Sequence, residues 1–237
     1  MANTLKFGAG QWATKEGSTL AYNDENDNYK PLPFDFTRAS NATVVNKAGL
    51  IETVGNGIPR IDFLGNTQGV LKLEPSRTNS LLQSNQFNTT WATSSGVTIT
   101  SEQTISPQGI NNGWKFEKTA VSYKSIGQSY TSSNETTFSI FAKKGTLSLI
   151  TLFTSISSGT NLYQRFDLEN GIVSTGAGMS SSNIKDYGNG WYRCSSTFTN
   201  ASVISLDYFP DFSNADAGYI YIYGAQAEAN NISSYIP

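Results

Sequence analysis

Three tyrosines alternate with two isoleucines near the end of the chain, in Tyr219-Ile220-Tyr221-Ile222-Tyr223. Alternate side chains of a β-strand point to opposite faces. If the isoleucines enter a core, all three tyrosines stand on the outer face, about 7 Å apart along the strand. Flat aromatic rings stack on the C–H faces of sugars, and tyrosines are also enriched in subunit interfaces. The row therefore predicts a glycan platform or a subunit interface, unless a loop packs over it.

Other strand-like segments supply polar groups that could complete such a platform. Alternation places Tyr163 and Arg165 on one face of their segment, and Asp207 on the face opposite Leu206. Trp114 follows a tight-turn signal and could lie on a loop rim. Guanidinium and carboxylate groups pair with sugar hydroxyls. The predicted glycan-binding residues are Tyr163, Arg165, Asp207, Trp114, Tyr219, Tyr221 and Tyr223.

Three arginines of the segment 35–90 are predicted to have a structural role instead of a role in binding. Each stands beside turn residues and near an acid, the acids being Asp35, Asp62 and Glu74. An arginine in this setting pairs with a carboxylate or donates to backbone carbonyl oxygens. We therefore interpret these residues as structural clamps rather than as catalytic or anion-binding groups; they are Arg38, Arg60 and Arg77.

The composition removes several kinds of chemistry. The chain has no His, which excludes Ser-His-Asp and Cys-His catalysis and His-ligated zinc. Its one cysteine, Cys194, can form neither an intrachain disulfide nor a thiolate metal site, and is predicted to be a small buried residue on a strand. Hydrolysis of glycosides would need two carboxylates about 5–9.5 Å apart. Pairs such as Asp207 with Asp211, or Asp167 with Glu169, have no motif around them, so we predict no enzymatic activity.

Charge and hydropathy exclude further classes. A net charge of −2 without a basic run lacks the electrostatic footprint of a nucleic-acid-binding protein. No apolar run approaches the roughly 20 residues of a membrane span, so we predict no membrane insertion. The first six residues contain no apolar stretch, so we expect no signal peptide and synthesis in the host cytoplasm.

The first 34 residues hold short apolar pieces, Leu5–Phe7, Gln11–Ala13 and Thr19–Tyr22, separated by polar turns. The acidic run Asn23–Asn28 could suggest a calcium loop. It lacks the Gly and the terminal Glu of an EF-hand, so a solvated hairpin turn is the simpler interpretation, and we predict no metal. Too little apolar material lies here for an independent core, and we expect this arm to need a partner surface.

From Trp91 onward, short strand-like segments alternate with turn clusters such as Glu169-Asn170-Gly171. No stretch shows a sustained helical period. This pattern predicts an all-β chain: an antiparallel β-sandwich or jelly roll, preceded by an irregular, strand-poor N-terminal arm and linker region. We divide the chain into 1–34, an arm; 35–90, an irregular segment packing at a subunit interface; and 91–237, the jelly roll.

Several motifs occur in an order that resembles a module recurrent in bacteriophage virion proteins, including tail fibres, head fibres and spikes. The resemblance covers roughly residues 35–237. It rests on the motifs Asp35-Phe36-Thr37-Arg38-Ala39-Ser40-Asn41-Ala42-Thr43, Pro59-Arg60-Ile61-Asp62-Phe63, Leu73-Glu74-Pro75-Ser76-Arg77-Thr78-Asn79, Gly188-Asn189-Gly190-Trp191-Tyr192-Arg193-Cys194 and Tyr223-Gly224-Ala225-Gln226-Ala227-Glu228.

The part after Asn85 also resembles a carbohydrate-binding jelly roll of the galactose-binding-like kind, in its Phe87…Trp91 start, its strand from Phe138 and its Tyr-rich last strand. Modules of that kind often hold a structural calcium through an acid in the last strand. Gly224-Ala225 stands at about that place here, so the last strand does not support a calcium site, and we predict no cofactor.

These resemblances imply a virion-surface protein, as a spike, head fibre or short tail fibre. Its arm would attach to other virion proteins, and its jelly roll would bind host-surface glycans weakly and multivalently. Phage fibres of this kind are commonly trimeric, which implies a homotrimer. Two alternatives stay open: a purely structural decoration protein without a ligand, and a polysaccharide depolymerase.

Overall fold

The computed structural model describes residues 37–237 except 120, 132–134, 158, 160, 200–202 and 214–215, together with the backbone of residues 12–15, 18–23, 28–31 and 204. The secondary structure of these residues is all β. They include no helix that could cross a bilayer. Contacts between Cα atoms divide the chain into two compact units, 1–75 and 76–237.

The smaller unit contains seven short strands in three antiparallel groups. Three of them form a sheet in the N-terminal arm, and two of these strands overlap apolar pieces that the sequence shows there. Leu5–Phe7 and most of the acidic run lie outside the described residues. The groups are β1 (Trp12–Lys15), β2 (Ser18–Asn23) and β3 (Asn28–Pro31); β4 (Ala42–Val45) with β5 (Ile51–Val54); and β6 (Ile61–Asp62) with β7 (Val70–Leu71).

Arginine side chains organise the irregular parts of this unit. The guanidinium of Arg38 donates to the carbonyl oxygens of Gly55 at 2.6 Å and Ile58 at 3.0 Å, and also to those of Val54 and Ser40. One side chain thus satisfies carbonyl groups that no strand partner reaches.

Arg60 and its neighbours form a second group of contacts. Buried Arg60 pairs with Glu74 at 2.7 Å, and Lys72 lies 3.1 Å from Asp62 and 3.6 Å from Glu74. Buried charges are tolerated when they are paired and hydrogen-bonded. This group joins β6 to the segment that follows β7.

The larger unit is a sandwich of two six-stranded antiparallel sheets, which we name sheet I and sheet II. In spatial order, sheet I contains β16 (Ser181–Asp186), β17 (Trp191–Thr199), β12 (Glu135–Lys143), β19 (Gly218–Ala229), β10 (Gly113–Lys118) and β9 (Val97–Thr104). Sheet II contains β15 (Ile172–Ala177), β14 (Leu162–Asp167), β13 (Leu149–Ile156), β18 (Val203–Pro210), β11 (Ile126–Ser129) and β8 (Ala92–Thr93). The predicted all-β antiparallel sandwich is confirmed.

The core lies between the two sheets and follows the period-2 patterns of the strands. Most inward positions are apolar and fully or almost fully buried, because alternation sends every second side chain to the same side. Cys194 on β17 is one of them, with no exposed surface. The largest contributors are Phe87, Trp91, Trp114, Phe116, Phe138, Phe166, Phe198 and Tyr208.

The segment before the first strand of the sandwich belongs to it. The Asn79 side chain donates to the Ala225 carbonyl oxygen at 3.0 Å and accepts from the Ala227 backbone N–H at 3.0 Å. Ser80 donates its backbone N–H to the Ala227 carbonyl oxygen. These bonds join residues 79–80 to the C-terminal part of β19. The larger unit accordingly begins at Ser76. The sequence pattern places the start of the jelly roll at residue 91.

Residues 230–237, which we name the tail, run across the outer face of sheet I. Buried Gln226 accepts from the Ile236 backbone N–H at 2.8 Å and donates to the Ser234 carbonyl oxygen at 3.3 Å. Arg193 donates to the Ser233 carbonyl oxygen at 2.7 Å. The tail therefore covers the part of sheet I that lies around these side chains.

Candidate functional site on the outer face of sheet II

The predicted tyrosine row is only partly exposed. Tyr219 and Tyr221 are half-buried on the outer face of sheet I, with ring centroids 5.3 Å apart. Tyr223 is only 1% exposed, because the ring of Tyr235 in the tail packs on it at 5.5 Å. The prediction of three exposed tyrosines is therefore wrong at Tyr223. A bulge at Gly224, whose φ is +58°, makes room for the Tyr235 ring.

Trp114 is a core residue and not a residue of a loop rim. It is 7% exposed, its ring meets Phe87 edge-on at 5.9 Å, and its indole N–H donates to the Asn85 carbonyl oxygen at 3.1 Å. The preceding Gly113 begins β10 instead of ending a turn. Trp114 thus takes an inward position, and it leaves the candidate site.

The other three predicted residues come together on the opposite side of the sandwich. Tyr163 and Arg165 on β14, and Asp207 on β18, all project from the outer face of sheet II. Their strand neighbours Gln164 and Leu206 point inward. The structure therefore separates this group from Tyr219 and Tyr221, and the single combined platform is wrong. Alternation along a strand determines which of its side chains share a face, but it does not determine which of the two sheets contains that strand.

Strand register arranges this outer face in two rows. One row runs from Tyr163 on β14 through Phe153 on β13 and Asp207 on β18 to Gly127 on β11. The next row runs from Arg165 through Thr151 to Phe209. Adjacent strands of a sheet lie about 4.8 Å apart. In each row an aromatic ring and a charged group are therefore separated by no more than two such spacings.

Phe212, in the loop after β18, completes an aromatic cluster on these rows. Its ring centroid lies 4.8 to 5.6 Å from those of four other aromatic side chains. We name this cluster the aromatic face; its members are Tyr123, Phe153, Tyr163, Phe209 and Phe212.

The members of the aromatic face differ in exposure. Phe153 and Phe209 are 8% and 9% exposed and form its floor. Tyr163 and Phe212 are half-buried, and Tyr123 is 53% exposed at the edge. A line of accessible rings thus runs from Tyr123 through Phe212 to Tyr163, on an apolar base.

A buried lysine holds the loop that carries Phe212. The Lys118 side chain has no exposed surface, and its ammonium donates to the Ser213 carbonyl oxygen at 2.9 Å and to the Asp211 carbonyl oxygen at 3.4 Å. The Asp211 carboxylate lies 3.8 Å away and accepts from the Ser213 hydroxyl. These bonds fix the backbone on both sides of Phe212.

The Arg165 guanidinium lies over two of the rings and keeps unused hydrogen-bonding capacity. Its Cζ is 5.6 Å from the Phe212 ring centroid and 5.8 Å from that of Tyr163, and one terminal nitrogen donates to the Phe212 carbonyl oxygen at 2.8 Å. Its buried Nε has no hydrogen-bond partner, and neither has the buried hydroxyl of Thr151 on the adjacent strand. Two polar groups on this face are therefore unsatisfied.

Asp207 lies over Gly127, the position that has no side chain. A Cβ at residue 127 would come within 2.2 Å of the Asp207 Oδ1 atom, so only glycine leaves room for this carboxylate. Burial raises the pKa of Asp207, and the hydrogen bond from the Ser205 hydroxyl, at 2.6 Å, opposes that rise. The face thus offers one guanidinium donor and one carboxylate acceptor beside its rings.

Three of the four carboxylates considered for catalysis, all except Asp207, are engaged by other groups. Asp211 is bound to Lys118 and Ser213 as described above. Asp167 caps the turn after β14 by accepting from the backbone N–H groups of Glu169 and Asn170. Glu169 itself pairs with Lys144. Within the described residues, no three carboxylate or thiol groups cluster as metal ligands would.

The sequence pattern did not identify Phe153, Phe209 or Phe212 as members of a site. Alternation within β13 and β18 would have placed Phe153 and Phe209 outward, next to residues that it did identify. Tyr123 and Phe212 come from connecting segments, and no periodic signal marks a loop side chain that folds back over a sheet.

No protein-family model matches this chain, and no curated protein matches it. Solved structures do match, at low identity. The enzymatically active domain of tailspike protein 4 of bacteriophage CBA120 is 13% identical, with a TM-score of 0.37 over 63% of this chain. The CBM22-1–GH10 modules of endo-1,4-β-D-xylanase 10B from Clostridium thermocellum, complexed with xylohexaose, are 13% identical, with a TM-score of 0.41 over 68% of this chain.

A third match is the family 11 carbohydrate-binding module of the cellulosomal cellulase Lic26A-Cel5E from Clostridium thermocellum, 11% identical, with a TM-score of 0.38 over 68% of this chain. The aligned region covers 98% of that module, but only 21% of the tailspike chain and 29% of the xylanase chain. The functional conclusion for this chain therefore rests on the geometry of its own residues.

Proposed function

We propose that the outer face of sheet II binds glycans through the aromatic face, Arg165 and Asp207. The observation that carries this proposal is the line of accessible rings from Tyr123 through Phe212 to Tyr163, with a guanidinium stacked on two of them. Ring faces cover the C–H surfaces of pyranoses, while planar charged groups pair with their hydroxyls. The Arg165 guanidinium uses one terminal nitrogen on the Phe212 carbonyl oxygen, and its other terminal nitrogen, which has no hydrogen bond to a described residue, is a donor for a sugar oxygen.

A glycan array followed by calorimetry tests this binding. We expect Tyr163→Ala to weaken binding of an array hit about tenfold or more, which corresponds to ~1.4 kcal/mol. Tyr219→Ala is the matched control, because it removes a half-buried tyrosine from the outer face of the other sheet. Both variants are expected to unfold at temperatures close to that of the parent.

Two results would contradict the proposed site. Loss of binding in Tyr219→Ala, with Tyr163→Ala unaffected, would move the ligand to sheet I. An array without hits would favour the purely structural role, in which the aromatic face meets another subunit. Release of oligosaccharide from host polysaccharide would instead support the depolymerase alternative.

We also propose that the chain is a phage virion-surface protein whose larger unit is displayed outward. This proposal is supported by the order of motifs between residues 35 and 237, to which the arm 1–34 adds an attachment segment. Many weak sites on one particle would bind a glycan-coated surface by avidity. Immunogold labelling of particles with an antibody to this chain is the direct test, and unlabelled particles would contradict it.

A homotrimer is part of the same proposal. The edge strand β15 of sheet II is exposed along its length, with Ile172 53% and Val173 38% exposed. Exposed edges with apolar side chains tend to pair unless they are covered, and homo-oligomers usually close by cyclic symmetry. Light scattering coupled to size exclusion is expected to give the mass of three chains. A single-chain mass would contradict any such assembly, and a dimer would contradict only the threefold.

A further inference from the structure

A cavity lies on the sheet I side of the larger unit, away from the aromatic face. It is formed where residues 77–86 approach the tail, and its volume is about 570 Å³, within the range of small-molecule pockets. The side chains of Tyr223 and Tyr235 line it. No Asp or Glu is among its lining residues, all of which are described.

Arg77 is the charged side chain of this cavity, and it differs from the two other predicted clamps. Arg38 and Arg60 bind carbonyl and carboxylate oxygens within the smaller unit. Half-buried Arg77 forms no ion pair and no hydrogen bond in the described part of the chain, so the prediction that it is a clamp does not fit. A guanidinium presents a planar fork of donors that matches a carboxylate. The cavity thus has a cationic group with unused donors.

Side-chain amides surround this guanidinium with further free groups. The side chains of Gln83 and Gln86 form no hydrogen bond to described residues. Asn85 accepts from the Gly224 backbone N–H at 3.4 Å and keeps its own NH₂ free, and Gln108 accepts from Asn112 at 3.1 Å and likewise keeps its NH₂. Amides that both donate and accept suit a ligand rich in hydroxyls.

Tyr223 and Tyr235 line the cavity with uncharged phenol groups. The Tyr235 hydroxyl lies 3.1 Å from the Ser84 hydroxyl, and burial is the main cause that raises the pKa of both Tyr223 and Tyr235. Both phenols therefore stay protonated at neutral pH. The charge that a ligand meets from the side chains of this cavity is the positive charge of Arg77.

We propose that this cavity binds a carboxylate-bearing monosaccharide, with Arg77 paired to the carboxylate and the amides of Gln83, Asn85, Gln86 and Gln108 bound to hydroxyls. Hexuronic and sialic acids share this chemistry. The proposal goes beyond glycan binding by the aromatic face, because the two sites have no residue in common and either could fail alone.

The test is calorimetry or ligand-observed NMR on the full chain, with glucuronate and N-acetylneuraminate as probes. At least one acid is expected to bind, and the acid that binds identifies the source. Its methyl ester, which has no charge, is expected to bind much more weakly. Arg77→Gln should weaken binding of the acid about tenfold or more, the range for one charge-assisted hydrogen bond. Added salt should weaken binding by the parent.

Lys185→Gln is the matched control, since it removes one positive charge from an exposed position on β16 outside both proposed sites, and it is expected to leave binding of the acid unchanged. The proposal is overturned if neither acid binds, if the methyl ester binds as well as the acid, or if Arg77→Gln binds like the parent. Arg77→Gln should also unfold at the parent's temperature. A clear drop would show that Arg77 stabilises the fold as a clamp, and would overturn the proposal as well.

Discussion

Asp207 occupies a position where its charge is unfavourable for folding. Desolvation raises its pKa, and the hydrogen bond from Ser205 offsets only part of that effect. An amide of the same shape would keep that hydrogen bond without the charge. A carboxylate at such a position is therefore more consistent with a role in binding than with a role in stability.

The raised pKa gives a pH-dependent prediction for Asp207→Asn. A carboxyl whose folded pKa exceeds its unfolded value stabilises the fold below the unfolded pKa, near 4, and loses that contribution as pH rises through the folded pKa. The free energy of unfolding of the variant, minus that of the parent, should therefore become more favourable to the variant as pH rises from about 3 to about 7. Urea unfolding at both pH values measures this change. A difference that is the same at both would contradict it.

At the scale of the element, the end of β10 controls the loop after β18. Lys118 is the last residue of that strand and points inward, so its ammonium reaches the carbonyl oxygens on both sides of Phe212 from within the sandwich. The aromatic face therefore depends on a side chain from the opposite sheet.

Lys118→Met should destabilise the larger unit and disorder the loop at Phe212. It removes the fully buried ammonium that donates to both carbonyl oxygens and pairs with the Asp211 carboxylate, at a cost of roughly 1–3 kcal/mol. Lys115→Met is the control, because its pair with Glu117 is partly exposed and exposed pairs contribute about 1 kcal/mol or less. Urea unfolding gives the stability, and glycan affinity should fall in Lys118→Met alone. Equal stability of the two variants would contradict the role of the buried ammonium.

Period-2 alternation predicted the strands of the sandwich and their inward faces, such as Ile220 and Ile222 on β19. It failed at Tyr223, because burial there comes from the tail, which folds back over the strand and takes no part in the strand's alternation. It also grouped Tyr163 with Tyr219, since alternation carries no information on which sheet a strand joins. Phe212 and Arg77 were not identified as site residues because their surroundings are made by loops and by tertiary contacts.

At the scale of the whole molecule, each of the sheets formed by the described residues lies within one of the two units. Among the described residues, the core of the sandwich is formed by side chains from 76–237.

A fragment comprising residues 76–237 is accordingly expected to fold alone. Circular dichroism should show β structure, and thermal unfolding should be a single cooperative transition, as is usual for single domains of this size. It should also bind any glycan that the full chain binds through the aromatic face. A fragment without a cooperative transition would show that residues 1–75 are needed for the sandwich to form.

The buried position of Cys194 makes its thiol a natural probe for the local unfolding of sheet I. The thiol has no exposed surface on β17, which is paired between β12 and the edge strand β16 of sheet I, and burial raises its pKa well above the ordinary value. Thiol reagents attack the thiolate, so labelling has to wait for these strands to separate. Because the chain has a single cysteine, the labelling rate at neutral pH reports the free energy of that separation without any engineered probe. Immediate labelling of the native protein would mean that sheet I opens readily.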